Sequence, residues 1–357
     1  MNPEEEIKGL RNKLHKYNNS YYNEDVSLVS DFEFDMLLKK LEELEKKYPQ
    51  FHDLNSPTVR VGGEVIKKFQ SFNHNFPMYS LANTYSKDEI KEWIKRIEKK
   101  WGHKINDFNC ELKFDGASIN LYYEEGKLKR ALTRGDGTKG DDVTSNIKTI
   151  KNIPLVLNGN YPEKFEIRGE VILPIDSFNS LNNERKDKGL PLFRNPRNTA
   201  SGSLKLQHSK EVASRKLKCF FYSIVGENSS LYHSDLLEKS REWGFFIPAS
   251  MKRVNSINDI FHFIDFWGKE KGKLPYEIDG IVVKVNSIKV QNELGFTAKV
   301  PRWAISYKYK AERQSTLLLS VNYQIGRTGA ITPVANFEPV NLSGTIVKRA
   351  SLHNSDQ

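Results

Sequence analysis

The chain has 357 residues, enough for two or three domains with sizeable cores. Its 55 lysines and arginines against 45 aspartates and glutamates leave a net charge of +10, which favours a polyanionic partner, although a lysine-rich composition also arises without one. Two cysteines, Cys110 and Cys219, exclude a disulfide framework and a four-cysteine zinc site. No apolar run approaches the ~18 residues of a membrane span and the acidic start is no signal peptide, so a soluble, cytoplasmic protein is expected.

Residues 1–60 read as helices. Ile7, Leu10, Leu14, Tyr17 and Tyr21 recur at helical spacing. A second helix opens on Ser30-Asp31-Phe32-Glu33, a capping box, and carries Phe34, Leu37, Leu38, Leu41 and Leu44 up to Pro49. The leucines predict a hairpin packed on itself. The stretch 55–84, with Pro57, Gly62, Gly63 and Pro77, has the composition of a hinge and ends on Tyr79-Ser80-Leu81-Ala82-Asn83. A third helix follows the capping box Ser86-Lys87-Asp88-Glu89, with Ile90, Trp93, Ile94 and Ile97 on one face.

From Phe108 to about Lys310 strands dominate, with helices inserted, the pattern of an α+β domain. In Glu111-Leu112-Lys113-Phe114-Asp115-Gly116 the alternation of an extended chain puts Glu111, Lys113 and Asp115 on one face and buries Leu112 and Phe114. Gly116 then permits a tight turn or a close approach to the backbone. A lysine so mounted is a candidate nucleophile if cationic neighbours lower its proton affinity. Lys284 in Asp279-Gly280-Ile281-Val282-Val283-Lys284 and Lys308 in Trp303 to Lys308 each interrupt an apolar strand, and a bound phosphate would be a suitable partner for both. Ala117 to Thr133 predicts a hairpin turning at Glu124-Glu125-Gly126. Thr133-Arg134-Gly135-Asp136-Gly137 reads as a turn whose Arg134 suits phosphate or ribose oxygens. Phe165 to Val171 and Cys219 to Tyr222 are strand compositions. Helices are expected around Ser234 to Trp243 and Ile257 to Trp267. Beyond Thr316 three further strands are expected, Leu317 to Ile325, Ala330 to Val340 and Thr345 to Ala350.

Taken in order, the Lys113 motif, Thr133 to Gly137, Arg168-Gly169-Glu170-Val171, Asp279 to Lys284 and Lys308 resemble the covalent nucleotidyltransferases. Among these the chain is closely similar to the NAD-dependent DNA ligases of bacteria, from end to end. Asn195-Pro196-Arg197-Asn198 and Gly326-Arg327-Thr328-Gly329-Ala330 look specific to that family. The resemblance implies a helical subdomain binding nicotinamide mononucleotide (1–60), an adenylation domain of antiparallel sheets with helices (61–315) and the start of an OB-fold barrel (316–357). Three strands cannot close such a barrel, and the family's downstream modules, its zinc site included, are expected to be missing from this chain.

By the same resemblance Tyr21, Tyr22, Asp31, Phe34 and Asp35 grip the nicotinamide mononucleotide half of NAD, with Phe34 standing where the family usually has tyrosine. Ser80, Leu81, Glu111, Arg134, Glu170 and Tyr222 surround the adenylate. Tyr222 stacks on adenine, and Ala82 replaces a common aspartate. Glu170 touches ribose or a magnesium (or manganese) ion. Asp115 orients the ribose, while Lys284 and Lys308 offset charge at the phosphate. The implied reaction seals nicks in duplex DNA during replication and repair. Lys113 takes AMP from NAD, AMP passes to a 5′-phosphate, and the 3′-hydroxyl displaces it; the enzyme is expected to act as a monomer away from membranes. Two alternatives stay open. An ATP- or GTP-dependent relative, of the RNA-ligase or capping type, would not need Tyr21 to Asp35. A basic module that only binds DNA would not need Lys113.

Overall fold

The computed structural model describes every residue except 1, 24–27, 62–68, 227–229, 310–313, 326–330, 343–344 and 353–357, and leaves out the side chains of Tyr22, Asp31, Arg60, Val61, Asn341 and Thr345. The side chains of Tyr22 and Asp31, the pair Gly62-Gly63 and the stretch Gly326 to Ala330 therefore lie outside the described residues. Two compact units emerge, Met1–Pro191 with Pro196–Tyr309, and Leu192–Asn195 with Lys310–Gln357.

The first unit opens with a helical hairpin of α1 (Pro3–Asn23) and α2 (Asp31–Lys47). Ser30 and Glu33 form the capping box that starts α2, and Ile7, Leu10, Leu14 and Leu41 close the hairpin's core. Next come β1 (Ser71–Asn73), β2 (Ala82–Thr84), α3 (Lys87–Trp101), β3 (Phe108–Phe114), β4 (Ala117–Glu124), β5 (Lys127–Thr133), β6 (Lys139–Asp141), α4 (Thr144–Ile147) and β7 (Lys164–Ile172). They are followed by α5 (Ile175–Asp187), α6 (Pro196–Leu204), α7 (Ser209–Ser214), β8 (Lys218–Gly226), α8 (His233–Glu242), β9 (Lys252–Val254), α9 (Ile257–Glu270), β10 (Ile278–Val285), α10 (Ile288–Leu294) and β11 (Ala304–Lys308).

Local chemistry sets several of these elements. Ser86 and Glu89 cap α3, Gly102 ends it in the left-handed conformation, and Ile90, Trp93, Ile94 and Ile97 are its buried face. Glu125 and Gly126 both take positive φ, the backbone of a tight two-residue turn, and close the β4–β5 hairpin.

Two sheets carry the unit. One runs β2-β11-β10-β3-β9 and the other β5-β4-β7-β8; all pairings are antiparallel except β2 with β11. One core lies against β4, β5, β7 and β8 and is closed by Trp243 and Phe245; the second gathers α3, α9, β3, β10 and β11. Ile172 and Phe220 of the smaller sheet reach into this second core, so the sheets share packing. The stretch expected to be a hinge is partly structural: β1 pairs with β6 and β2 with β11, because its short extended runs find open strand edges. Gly116 admits a neighbouring chain, since a Cβ there would collide with the Val171 carbonyl.

The second unit is a three-stranded antiparallel sheet, β12 (Leu318–Ile325), β13 (Ile331–Leu342) and β14 (Thr345–Ser351). Leu318, Tyr323, Ile325, Ile331 and Ile346 are exposed on it. Among the described residues no helix is long and apolar enough to cross a membrane.

Candidate active site

Lys113 sits near the end of β3, opposite Gly280 of β10. The register between these strands slips between Ile278 and Gly280, which leaves Asp279 as the extra residue of a bulge. The bulge turns Asp279 onto Lys113, whose Nζ lies 2.9 Å from its carboxylate. Lys308 of β11 approaches the same carboxylate at 3.5 Å. One half-buried anion therefore gathers two lysines.

Glu111 of β3 and Asp115 just beyond it find different partners from those that alternation alone suggests. Asp115 is held by Arg197 at 2.8 Å, and Glu111 by Lys284 at 2.8 Å. Lys284 is two positions along from the residue paired with Glu111, a diagonal neighbour within reach of a long side chain. Lys284 is thus separated from the lysine pair that shares Asp279, and its partner is a carboxylate of the protein.

Around Glu111 the site is closely packed. Asn109 Nδ2 donates to Oε1 at 2.7 Å, His233 Nε2 lies 2.8 Å from the same oxygen, and Lys284 Nζ donates to Oε2 and to the Tyr222 carbonyl at 2.6 Å. Burial pushes the Glu111 carboxyl up, but Lys284 and His233 outweigh it and hold it below its ordinary value. Burial lowers Lys284 against the pull of Glu111. Burial and then the Lys284 charge lower His233.

A cavity of about 340 Å³ opens between the two sheets. Lys113, Lys284, Lys308, Glu111, Arg134, Glu170, Tyr222, Ser80 and Leu81 all line it. Asp115 is one step away, tied to the lining residue Arg197. Tyr222 bonds Ser118 at 2.6 Å through its hydroxyl and stands beside Lys284, whose Nζ is 5.4 Å from the ring centroid. Burial, against Lys113 and Arg197, pushes the Glu170 carboxyl up to about 7. Arg134 projects from a turn in which Asp136 accepts the amides of Thr138 and Lys139.

Of the hairpin residues, Tyr21, Phe34 and Asp35 do not line this cavity. Tyr21 and Asp35 are exposed, and Phe34 packs on the hairpin core. The hairpin is anchored elsewhere, through Asn23 to the Gly244 carbonyl, and the segment after it is tied by Asp53 to Lys127. Asp279, Arg197, Asn109 and His233 were not singled out as site residues from the sequence. Asp279 and Arg197 lie within noted motifs, so a signal existed. His233 had none, because only the fold brings α8 against β3 and β10.

Among the described residues no three histidine, cysteine, aspartate or glutamate side chains converge as a ready-made metal cage. Magnesium shared with substrate phosphates needs only one or two carboxylates, and Glu170, half-buried at the cavity wall near Lys113, Arg197 and Ser118, fits that requirement.

Three families match the chain in succession. These are the DNA ligase-like, N-terminal NAD+-binding domain over residues 1–62, the NAD-dependent DNA ligase adenylation domain over 66–312 and the NAD-dependent DNA ligase OB-fold domain over 315–357. DNA ligases of Flavobacterium johnsoniae and Christiangramia forsetii are each 56% identical over 358 residues, covering 100% of this chain and 54% of the relative. A DNA ligase of Bacteroides fragilis is 52% identical over the same length, again covering 100% of this chain and 54% of the relative. The chain spans about half the length of the curated relatives it matches. With its adenylation-domain match extending over more than half of its residues, the chain belongs to the NAD-dependent DNA ligase family.

Proposed function

We propose that this chain is the adenylating portion of an NAD-dependent DNA ligase that seals 5′-phosphate/3′-hydroxyl nicks in duplex DNA, acting as a monomer in the cytoplasm. The observation that carries the reading is the pairing of Lys113 and Lys308 on Asp279 at the wall of a cavity that also holds Arg134, Glu170 and Tyr222. Lys113 Nζ attacks the α-phosphate of NAD. A nitrogen–phosphorus bond forms, the phosphoanhydride bond to nicotinamide mononucleotide breaks, and the lysine sheds its proton; the Asp279 carboxylate in contact with it is the acceptor at hand. Lys308 and Arg134 offset charge on the phosphate, Tyr222 supplies a face for adenine, and Asp115, braced by Arg197, orients the ribose. A magnesium ion, held by Glu170 and the phosphates, would withdraw further charge from the reacting phosphorus. AMP then moves to the 5′-phosphate of the nick and is displaced by the 3′-hydroxyl. For Tyr21, Tyr22, Asp31, Phe34 and Asp35 to hold nicotinamide mononucleotide during the first step, the hairpin must approach the cavity.

The test is a denaturing gel of the chain mixed with adenylate-labelled NAD, ATP or GTP. Label is expected from NAD and is abolished in Lys113→Ala and Lys113→Arg, since arginine keeps the charge but does not lose its proton. Label from ATP in place of NAD would move the protein to the ATP-dependent relatives. An adduct surviving in either variant would mean another nucleophile.

A further inference from the structure

Behind the Glu111 wall stands a side chain that no sequence motif marks. His233 opens α8, its amide bonded to the Asn286 carbonyl, and its ring is 7% exposed and does not line the cavity. Its Nε2 lies 2.8 Å from Glu111 Oε1 and 3.2 Å from Lys284 Nζ.

One nitrogen cannot both donate to the carboxylate and accept from the ammonium. If the proton sat on Nδ1, the Nε2 lone pair would face the Glu111 oxygen, and the contact would repel. The proton therefore belongs on Nε2, donated to Glu111. Lys284 has three hydrogens, of which Glu111 Oε2 and the Tyr222 carbonyl take two. With Nε2 already protonated, the third is not consumed by the imidazole. Since Glu111, Lys284 and Tyr222 all line the cavity, a base stacked on Tyr222 has its edge beside a fixed acceptor and a free donor. Adenine offers the complement there, a 6-amino donor next to the N1 acceptor. Hypoxanthine, with a 6-oxo acceptor next to an N1–H donor, offers the reverse.

We infer that His233 is a positioning residue for base selection: it fixes the orientation of Glu111 and keeps one Lys284 hydrogen available, so that the site accepts adenine and rejects a 6-oxopurine. The inference rests on the adenylation reading above.

The experiment measures kcat/KM for lysyl-AMP formation with NAD and for the corresponding adduct from the analogue carrying hypoxanthine, in the unmodified chain and in His233→Gln, His233→Asn and His233→Leu, each with a melting curve. A glutamine amide nitrogen reaches the place of Nε2, whereas an asparagine amide falls short. The unmodified chain should prefer NAD. Asn and Leu should cut that preference on the order of tenfold, mainly through a higher KM for NAD, and Gln should retain it. An unchanged preference in folded His233→Asn, with the adduct still forming, overturns the inference and leaves the adenylation reading intact. Unfolding of both Asn and Leu variants would make His233 a structural residue and also overturn it. Failure of the unmodified chain to form any adduct with NAD would remove the adenylation reading, and the inference with it.

Discussion

Lys284 and Glu111 show what a buried ion pair means for a single residue. Both side chains are almost fully buried, so neither charge is tolerated without the other. Lys284→Met should strand Glu111 and cost about 3–5 kcal/mol in urea unfolding, whereas Glu111→Gln combined with Lys284→Met should cost clearly less than the sum of the two single changes. Additive losses would mean that the pair does not couple. Glu170 gives a pH dependence of known sign. Its carboxyl titrates near 4.5 when free and at about 7 in the fold, so the extra proton affinity stabilises the metal-free protein below pH 4.5 and fades as the pH rises towards 7. Glu170→Gln stays neutral throughout and should remove this slope. Between about pH 5 and 7 the unmodified protein should lose on the order of 2 kcal/mol relative to the variant, read as diverging melting temperatures.

At the scale of elements, the β3–β10 pairing builds the reactive end of the site, and its bulge is the decisive feature. Without the extra residue Asp279 would follow the regular alternation of β10 and Lys113 would lose its partner. The helical hairpin is a separate device, with its own core, attached through Asn23 and, in the segment that follows it, through Asp53. Asp35 is exposed on it and belongs to no described ion pair. Asp35→Ala should therefore leave the melting temperature unchanged while weakening adduct formation from NAD about tenfold or more, and a longer chain carrying it should still seal a nick that is already adenylated. Equal loss in both assays would make the hairpin a structural part only.

For the whole molecule, the two units differ sharply in packing. The first holds two sheets around continuous cores; the second is one sheet with many apolar residues exposed, and only Pro333 and Ala335 are buried among its described residues. A sheet of this kind has open outer edges and little buried area to resist opening. Amides of β12 and β14 should exchange much faster than those of β3 and β10. A chain of this length, tested alone, should adenylate itself yet seal nicked duplex far more slowly than a chain of the relatives' full length, because phosphate contacts set the hold on DNA. Comparable sealing rates, or strong exchange protection throughout Thr316 to Leu352, would refute this.

The sequence by itself determined what local chemistry fixes. The capping boxes at Ser30 and Ser86, the buried stripe of α3, the turn at Glu125-Gly126 and the three terminal strands all follow from side chains acting within a few residues of themselves. The motifs and the resemblance they carry likewise named the family and a large part of the cavity wall, including Lys113, Lys308, Arg134 and Tyr222. Pairing was decided only by the tertiary structure. Glu111 and Lys113 line one cavity, as alternation expects, but the partners of Glu111, Lys113 and Asp115 came from Lys284, Asp279 and Arg197, more than 80 residues away in sequence, through strand register and a bulge. His233 entered the site the same way, by the docking of α8. The period of a strand is a local property, whereas register and docking depend on which distant surfaces fit, and no short stretch of sequence contains that information.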